Sequence, residues 1–425
     1  MIRKVLQRKD IVFNTSHVFL NKGLNAVVPL MLIPYFTKVF GVGKYGELIY
    51  IQSLLTLLMF VTDYGFSITG TRDVSMYQND KKYVSETLSS IMVLKLILAA
   101  FCYLSLFVYL HHQNLPFDMG LLYFATFTAF VLQSFTPYWF FQGIKSNWII
   151  TLINLISKVV LVILVFLFIT DGTSIISVPI VEGISYALSF ILSLIIIFFH
   201  LNIKFSWPDW KLTVEQLRSG RHIFFFSVFN WMITGGAIVA VEKFLSQTDL
   251  GYFATFSRLM YFAFALVQPI NMALFPYMSG KANLPVKDRL RFVRDTFRIY
   301  GLVILAFVAG AFTLSDWLFT ILFDDKFTSG LDPFMPVFYL MAVWISIVMV
   351  NYFIGLQVLV AFGKDKVYSR SYLVNTLVAV AGFLVLVPSI GLMGVPFSLI
   401  SGELVLFIFL YSAFLKIRKG AQVKS

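Results

Sequence analysis

Charge and cysteine are both scarce in this 425-residue sequence. Asp, Glu, Lys and Arg make up 13% of it, about half the share found in ordinary globular proteins. A soluble fold of this length needs far more polar side chains to cover its exterior, so a soluble enzyme and a disordered tail are excluded. The single cysteine, Cys102, excludes an intramolecular disulfide framework, a multi-cysteine metal site and a disulfide-stapled secreted mini-protein. The phosphate-cradling pattern G-x-x-x-x-G-K-[ST] is absent, so the chain is not its own ATPase. H-E-x-x-H is absent as well, and His111-His112 has no further ligand at metal-binding spacing. No Ser/His/Asp set occupies a polar loop. Neither an enzyme nor a cofactor nor a metal is expected.

What the sequence does have is grease. Residues of the AVILMFWYC set make up 59%, and Phe alone contributes 47. A helix needs about 20 mostly apolar residues to cross the hydrocarbon, where bare backbone finds no water. By that measure there are twelve spans. The first six lie near 11–36, 46–70, 86–110, 119–140, 147–170 and 174–200; the second six near 221–246, 251–276, 298–322, 333–360, 367–388 and 391–416. Runs such as Ile149–Phe168 do not alternate as barrel strands do, so an all-α integral membrane protein is expected. The first apolar stretch is too long for a cleavable signal and lacks a small-residue cleavage site. The longest loop, 201–220, carries Trp207, Pro208 and Trp210. It divides an N-terminal six-helix lobe, 1–200, from a C-terminal one, 221–425. Gly43-Lys44-Tyr45-Gly46 opens the second span and Leu250-Gly251-Tyr252-Phe253 the eighth, a weak echo consistent with duplication.

Lys and Arg set the orientation. With the N-terminus inside, 25 of the 33 fall in cytoplasmic segments, 3 in outer loops (Lys38, Lys44, Lys326) and 5 in spans. Both termini are therefore expected in the cytoplasm. The same bias accounts for the net charge of +12 without any nucleic acid.

Charge inside the bilayer costs at least a few kcal/mol per residue, which makes such residues functional candidates. On the first span Asn14, His17, Asn21 and Asn25 fall within an arc of roughly 80° at helical spacing, with Lys22 beside them. Asn residues glue helices together, but a mid-span ammonium must face protein, water or an anion. On the seventh span Ser227, Asn230 and Thr234 share a face. Lys158 sits in the middle of an otherwise apolar fifth span. Lys95 lies within snorkelling reach of the cytoplasmic headgroups, so interfacial and buried placements both stay open. Arg258, near the outer end of the eighth span, carries a guanidinium suited to phosphate oxygens. Asp63, Glu182 and Glu403 are candidates for neutralising these cations or carrying a coupling ion.

Pro34-Tyr35-Phe36-Thr37-Lys38-Val39-Phe40-Gly41-Val42-Gly43-Lys44-Tyr45-Gly46, Asp63-Tyr64-Gly65-Phe66 running on to Gly70-Thr71-Arg72, Gly251-Tyr252-Phe253-Ala254 with Arg258-Leu259, and Pro269 to Pro276 together resemble one family. It is the polysaccharide-transporter branch of the multidrug/oligosaccharidyl-lipid/polysaccharide exporter superfamily, and within it the O-antigen repeat-unit (Wzx-type) flippases. The resemblance implies two six-helix bundles around a central cavity lined by the first, second, seventh and eighth spans. It implies a bacterial inner-membrane flippase that moves an undecaprenyl-pyrophosphate-linked oligosaccharide to the outer leaflet by alternating access. Membrane lipids, a coupling H+ or Na+, and a polysaccharide polymerase with its chain-length regulator are the implied partners. Related lipid-II flippases use basic cavity residues in these spans, and here Lys22 and Arg258 match, with Lys standing where those relatives carry Arg.

The cargo fits the residues. A diphosphate needs cations and amide donors, which Lys22, Lys158, Arg258, Asn21, Asn25 and Asn230 supply. The nearest alternative is a multidrug or cation extruder of the same superfamily coupled to Na+ or H+; five basic and five acidic residues in the spans do not decide between them. A membrane-embedded polymerase or ligase needs longer outer loops than the roughly ten residues found here.

Overall fold

A computed structural model describes the backbone of residues 2–280, 286–362 and 364–423, with side chains described outside 2–15, 269–270, 272–290, 365 and 419–423. The described residues are helical almost throughout. Helix α1 (Ile2–Phe40) runs for 39 residues, about 58 Å at 1.5 Å per residue. It stops at Gly41, whose φ of 81° is the left-handed conformation glycine supplies at a helix C-terminus. Helix α2 (Val42–Asp63) follows at once. Tyr64 and Gly65, both at positive φ, then break the expected 46–70 span, and α3 (Phe66–Met76) follows. A Cβ at Gly65 would lie 2.7 Å from Ile223 Cβ, so the break also permits a close approach.

Asp80 caps α4 (Lys81–Gln113) by accepting from the Lys82 and Tyr83 amides at 3.1 Å, as short acidic side chains do at helix starts. Next come α5 (Phe117–Phe135) and, after a turn at Thr136-Pro137, α6 (Tyr138–Gly143); then α7 (Asn147–Phe168) and α8 (Ser177–Ile195), the last continued by a π-helical turn, Ile196–His200. In the second half lie α9 (Trp210–Phe244), α10 (Gln247–Gly280), α11 (Val286–Thr313), the short α12 (Ser315–Leu322) and α13 (Asp325–Thr328), α14 (Met335–Phe353), α15 (Asp365–Ile390) and α16 (Gly394–Val423). A second π-helical turn, Ile354–Leu359, follows α14.

Eleven helical stretches among the described residues are long and apolar enough to cross a membrane. The last, Lys366–Arg418, is 53 residues long and folds back at Gly391, φ 65°, into the pair α15 and α16. Counted as two, it brings the total to the expected twelve. Small residues let this hairpin close: a Cβ at Gly382 would meet Ser398 Oγ at 2.6 Å, and one at Gly402 would meet the Asn375 carbonyl at 2.9 Å. Tight helix–helix contact in lipid relies on such residues.

The expected loop 201–220 is only half loop. Asp209 accepts from the Lys211 amide at 2.8 Å and α9 starts at Trp210, with Leu212, Thr213 and Gln216 buried. Gln216 donates to Asp73 at 2.6 Å, which fixes the first turns of α9 where loop composition predicted none.

The chain forms two compact units. One comprises Met1–Leu32 and Tyr50–Trp231, the other Ile33–Ile49 and Met232–Ser425; α1, α2 and α9 each supply both. The reason residues 33–49 join the second unit is visible at Gly46 and Gly251. A Cβ on Gly46 would lie 2.6 Å from the Gly251 nitrogen and 2.9 Å from the Gln247 carbonyl. The two echoed segments of the sequence, Gly43–Gly46 and Leu250–Phe253, are thus packed backbone to backbone. The first unit has its own aromatic core of Phe66, Trp139, Phe140 and Phe141 with Ile91, Ile149 and Ile153.

Candidate functional site

In the first unit, α1 presents its polar stripe to α7. The His17 carbonyl accepts from Thr151 at 3.1 Å, and Asn154 donates to the Asn21 side chain. Four residues after Asn154, and so on the same helical face, is Lys158, buried at 8% exposure. Its ammonium lies 5.6 Å from the centre of the Tyr186 ring on α8, a cation–π distance, and Glu182, one turn earlier on α8, acts on it electrostatically. Gln52 of α2 donates to Glu182 at 3.2 Å. Beside this chain of contacts, Ser185 and Ser189 of α8 bond to Ser157 at 2.9 and 2.7 Å. Four helices therefore meet on one polar seam.

Lys22 is half-buried and Asn25 exposed on α1; Asn230 is exposed on α9. The structure thus brings Asn21, Lys158 and Glu182 into a single network and leaves Lys22, Asn25 and Asn230 accessible. Asn14 and, apart from Asn271, which is buried and donates to the Tyr300 hydroxyl at 3.0 Å, the Pro269 to Pro276 segment lie outside the described side chains.

Asp63 belongs to a different cluster. Lys95, fully buried at 0% exposure, bonds to it at 2.7 Å and also donates to the Ser134 carbonyl at 2.5 Å. Ser67 donates to the same carboxylate oxygen at 2.7 Å. Lys95 does not snorkel. An ammonium out of water needs a counter-charge, and Asp63 at the α2 break supplies it.

The second unit holds Arg258 and Glu403. The Arg258 guanidinium sits 5.8 Å from the Tyr45 ring centre, next to the Gly46–Gly251 contact, and is half-buried. Glu403, 5% exposed, is held by carboxamides: Asn351 donates to one oxygen at 2.7 Å and Asn375 to the other at 2.9 Å. Among the described residues no cation stands within ion-pair distance of it. Tyr261, Tyr368 and Tyr372 lie within electrostatic reach of its carboxylate.

Asn154, Gln52, Tyr186, Asn351 and Asn375 were not singled out by sequence reasoning. Asn154 carried a usable signal, since an Asn four residues before a lysine in an apolar helix marks a polar stripe. The others depend on partners 28 to 130 residues away, and one sequence does not show such pairings.

Comparison with known proteins agrees with this architecture. A family model described as polysaccharide biosynthesis protein matches residues 11–280. A Shigella dysenteriae protein named "Putative O-antigen transporter" is 22% identical over 407 residues, covering 94% of this chain and 99% of its own. An Escherichia coli K12 protein of the same name is 20% identical, covering 84% and 85%. Among solved structures, an inward-facing multidrug resistance MATE family transporter of the MOP superfamily matches with a TM-score of 0.70 at 12% identity, over 94% of this chain and 99% of that one. The lipid II flippase MurJ in an inward closed conformation matches with a TM-score of 0.69 at 16% identity, over 97% and 91%. At these identities the structures establish the fold, and the sequence matches bear out the resemblance read from the motifs. The chain belongs to the polysaccharide biosynthesis protein family.

Proposed function

We propose that this protein is a flippase that carries an undecaprenyl-pyrophosphate-linked oligosaccharide repeat unit from the cytoplasmic to the outer leaflet of a bacterial inner membrane, by alternating access and with both termini in the cytoplasm. The transporters named among its relatives support the cargo class. The observation that carries the reading is the half-buried Lys22 on α1, flanked by Asn21, already bonded to Asn154, and by exposed Asn25. A cation and amide donors on a membrane-embedded helix are what a diphosphate needs in place of water. Arg258 and Asn230 are the further headgroup ligands; Lys158, over the Tyr186 ring and in electrostatic reach of Glu182, tunes the seam. Glu403 is the proposed coupling residue, because Asp63 is paired with Lys95 and Glu182 accepts from Gln52 with Lys158 in electrostatic reach, whereas Glu403 is held by neutral amides.

The test is deletion of the gene in its own host, followed by asking which leaflet holds the lipid-linked sugar, read by a membrane-impermeant oxidant. Accumulation on the cytoplasmic side, rescued by the wild-type gene but not by Lys22→Ala or Arg258→Ala at normal membrane abundance, supports the reading. Unchanged glycan with new drug sensitivity would instead identify the cation extruder.

A further inference from the structure

A cavity of about 290 Å³ lies wholly inside the first unit, next to the α2–α3 break. Its polar lining includes Asp63, Gln133, Gln142 and Ser227, and Tyr138 and Trp139 supply aromatic surface. The volume is near the lower limit of small-molecule sites, about 300 Å³. That is the scale of one or two sugar rings, not of a whole repeat unit.

The charge balance of the cavity is informative. Among the described residues Asp63 is its one charged lining residue, and Lys95 already neutralises it at 2.7 Å. A phosphate would meet a carboxylate with no spare cation, and a metal cation would have to displace the lysine. The hydrogen-bonding balance, in contrast, is open. The carboxamides of Gln133, half-buried, and Gln142, exposed, line the cavity and bond to no other described side chain or backbone group. Polar groups at such a site are usually matched by water or a ligand. Amides present both donors and acceptors, as hydroxyl groups do, and aromatic rings offer an apolar surface to the faces of a sugar ring.

We propose that this cavity is a glycan subsite that holds one uncharged sugar ring of the headgroup, with Gln133 and Gln142 as its hydrogen-bonding arms. The inference rests on the flippase reading and adds to it a place for the sugar that is separate from the diphosphate ligands Lys22 and Arg258.

The probes are two polyprenyl diphosphate hexoses, one with a photoreactive diazirine on the sugar and one with it in the lipid tail, applied to the full chain in nanodiscs. Sugar-probe adducts are expected in 59–68 and 133–142, and Gln133→Leu with Gln142→Leu should lower their yield about fivefold or more without changing the tail-probe yield. Gln142→Leu alone, at an exposed position of α6, should lower it about twofold or more and serves if the double variant does not fold. A probe that is translocated but labels other segments, or a yield unchanged in both variants, would overturn the subsite and leave the flippase reading standing. A tail probe that neither binds nor crosses would overturn both.

Discussion

Breaking the Asp63–Lys95 pair from its two ends should have unequal costs. Removal of one partner from a buried ion pair typically costs about 3–5 kcal/mol, because the other charge is left uncompensated. The two survivors here face different surroundings. After Lys95→Met, Asp63 keeps its bond from Ser67 and still lines a cavity of about 290 Å³ in which water can hydrate it. The loss should sit near 3 kcal/mol. After Asp63→Leu, the Lys95 ammonium stays at 0% exposure with only Ser134 to accept from it, so the loss should approach 5 kcal/mol. With about 2–4 °C per kcal/mol for a unit of this size, these become falls in melting temperature of roughly 9 and 15 °C. Tryptophan fluorescence on the protein in nanodiscs at one scan rate reads both. The double variant should recover most of the loss, since it leaves no unpaired charge. Equal losses, the reverse order, or a double variant as unstable as the sum of the singles would refute the reasoning.

Four further outcomes are expected. Gly46→Ala should lower melting temperature and yield, since its Cβ would press on Gly251 backbone at 2.6 Å and overpacking costs about 1–3 kcal/mol; Gly23→Ala, with nothing within 4 Å, should be neutral or stabilising, and the comparison is made side by side in the same scan. The Asn21–Asn154 bond should show a coupling of about 0.6 to 1.7 kcal/mol in a double-mutant cycle with alanine, and a coupling indistinguishable from zero would remove the α1–α7 seam from the account. Glu403→Gln should leave abundance unchanged yet make translocation insensitive to the imposed ion gradient, as measured in proteoliposomes with and without a proton or Na+ gradient; retained sensitivity would discard Glu403 as the coupling residue. In a Cys102→Ser background, which frees the chain of its sole cysteine, Lys326→Cys should react with an impermeant maleimide added to intact cells and Arg418→Cys only after permeabilisation, and the opposite pattern would invert the topology.

Much of the fold was legible because lipid imposes a simple rule: long apolar runs must be helices. The breaks were harder to read. Tyr64-Gly65, after Thr62-Asp63, falls inside a stretch long and apolar enough to be read as one span, and the approach of Ile223 shows why the chain turns there. The first turns of α9 read as loop because Pro208 and polar residues dominate 201–220, whereas burial of Gln216 against Asp73 is a tertiary effect that overrides local composition. The candidate site divides along the same line. That Lys158 needed a partner followed from the cost of a bare charge in hydrocarbon, whereas Lys95 could equally have snorkelled; the identity of the partners did not follow, since Asp63 and Glu182 were equally available to either on sequence alone. The echo between Gly43–Gly46 and Leu250–Phe253 is the most instructive case. Similarity between them suggests duplication, yet in the folded chain the segments touch: a Cβ on Gly46 would strike the Gly251 backbone, and one on Gly251 would strike the Val42 carbonyl. A shared glycine in two helices that must meet is therefore explained by contact geometry alone, and duplication needs support from elsewhere in the chain.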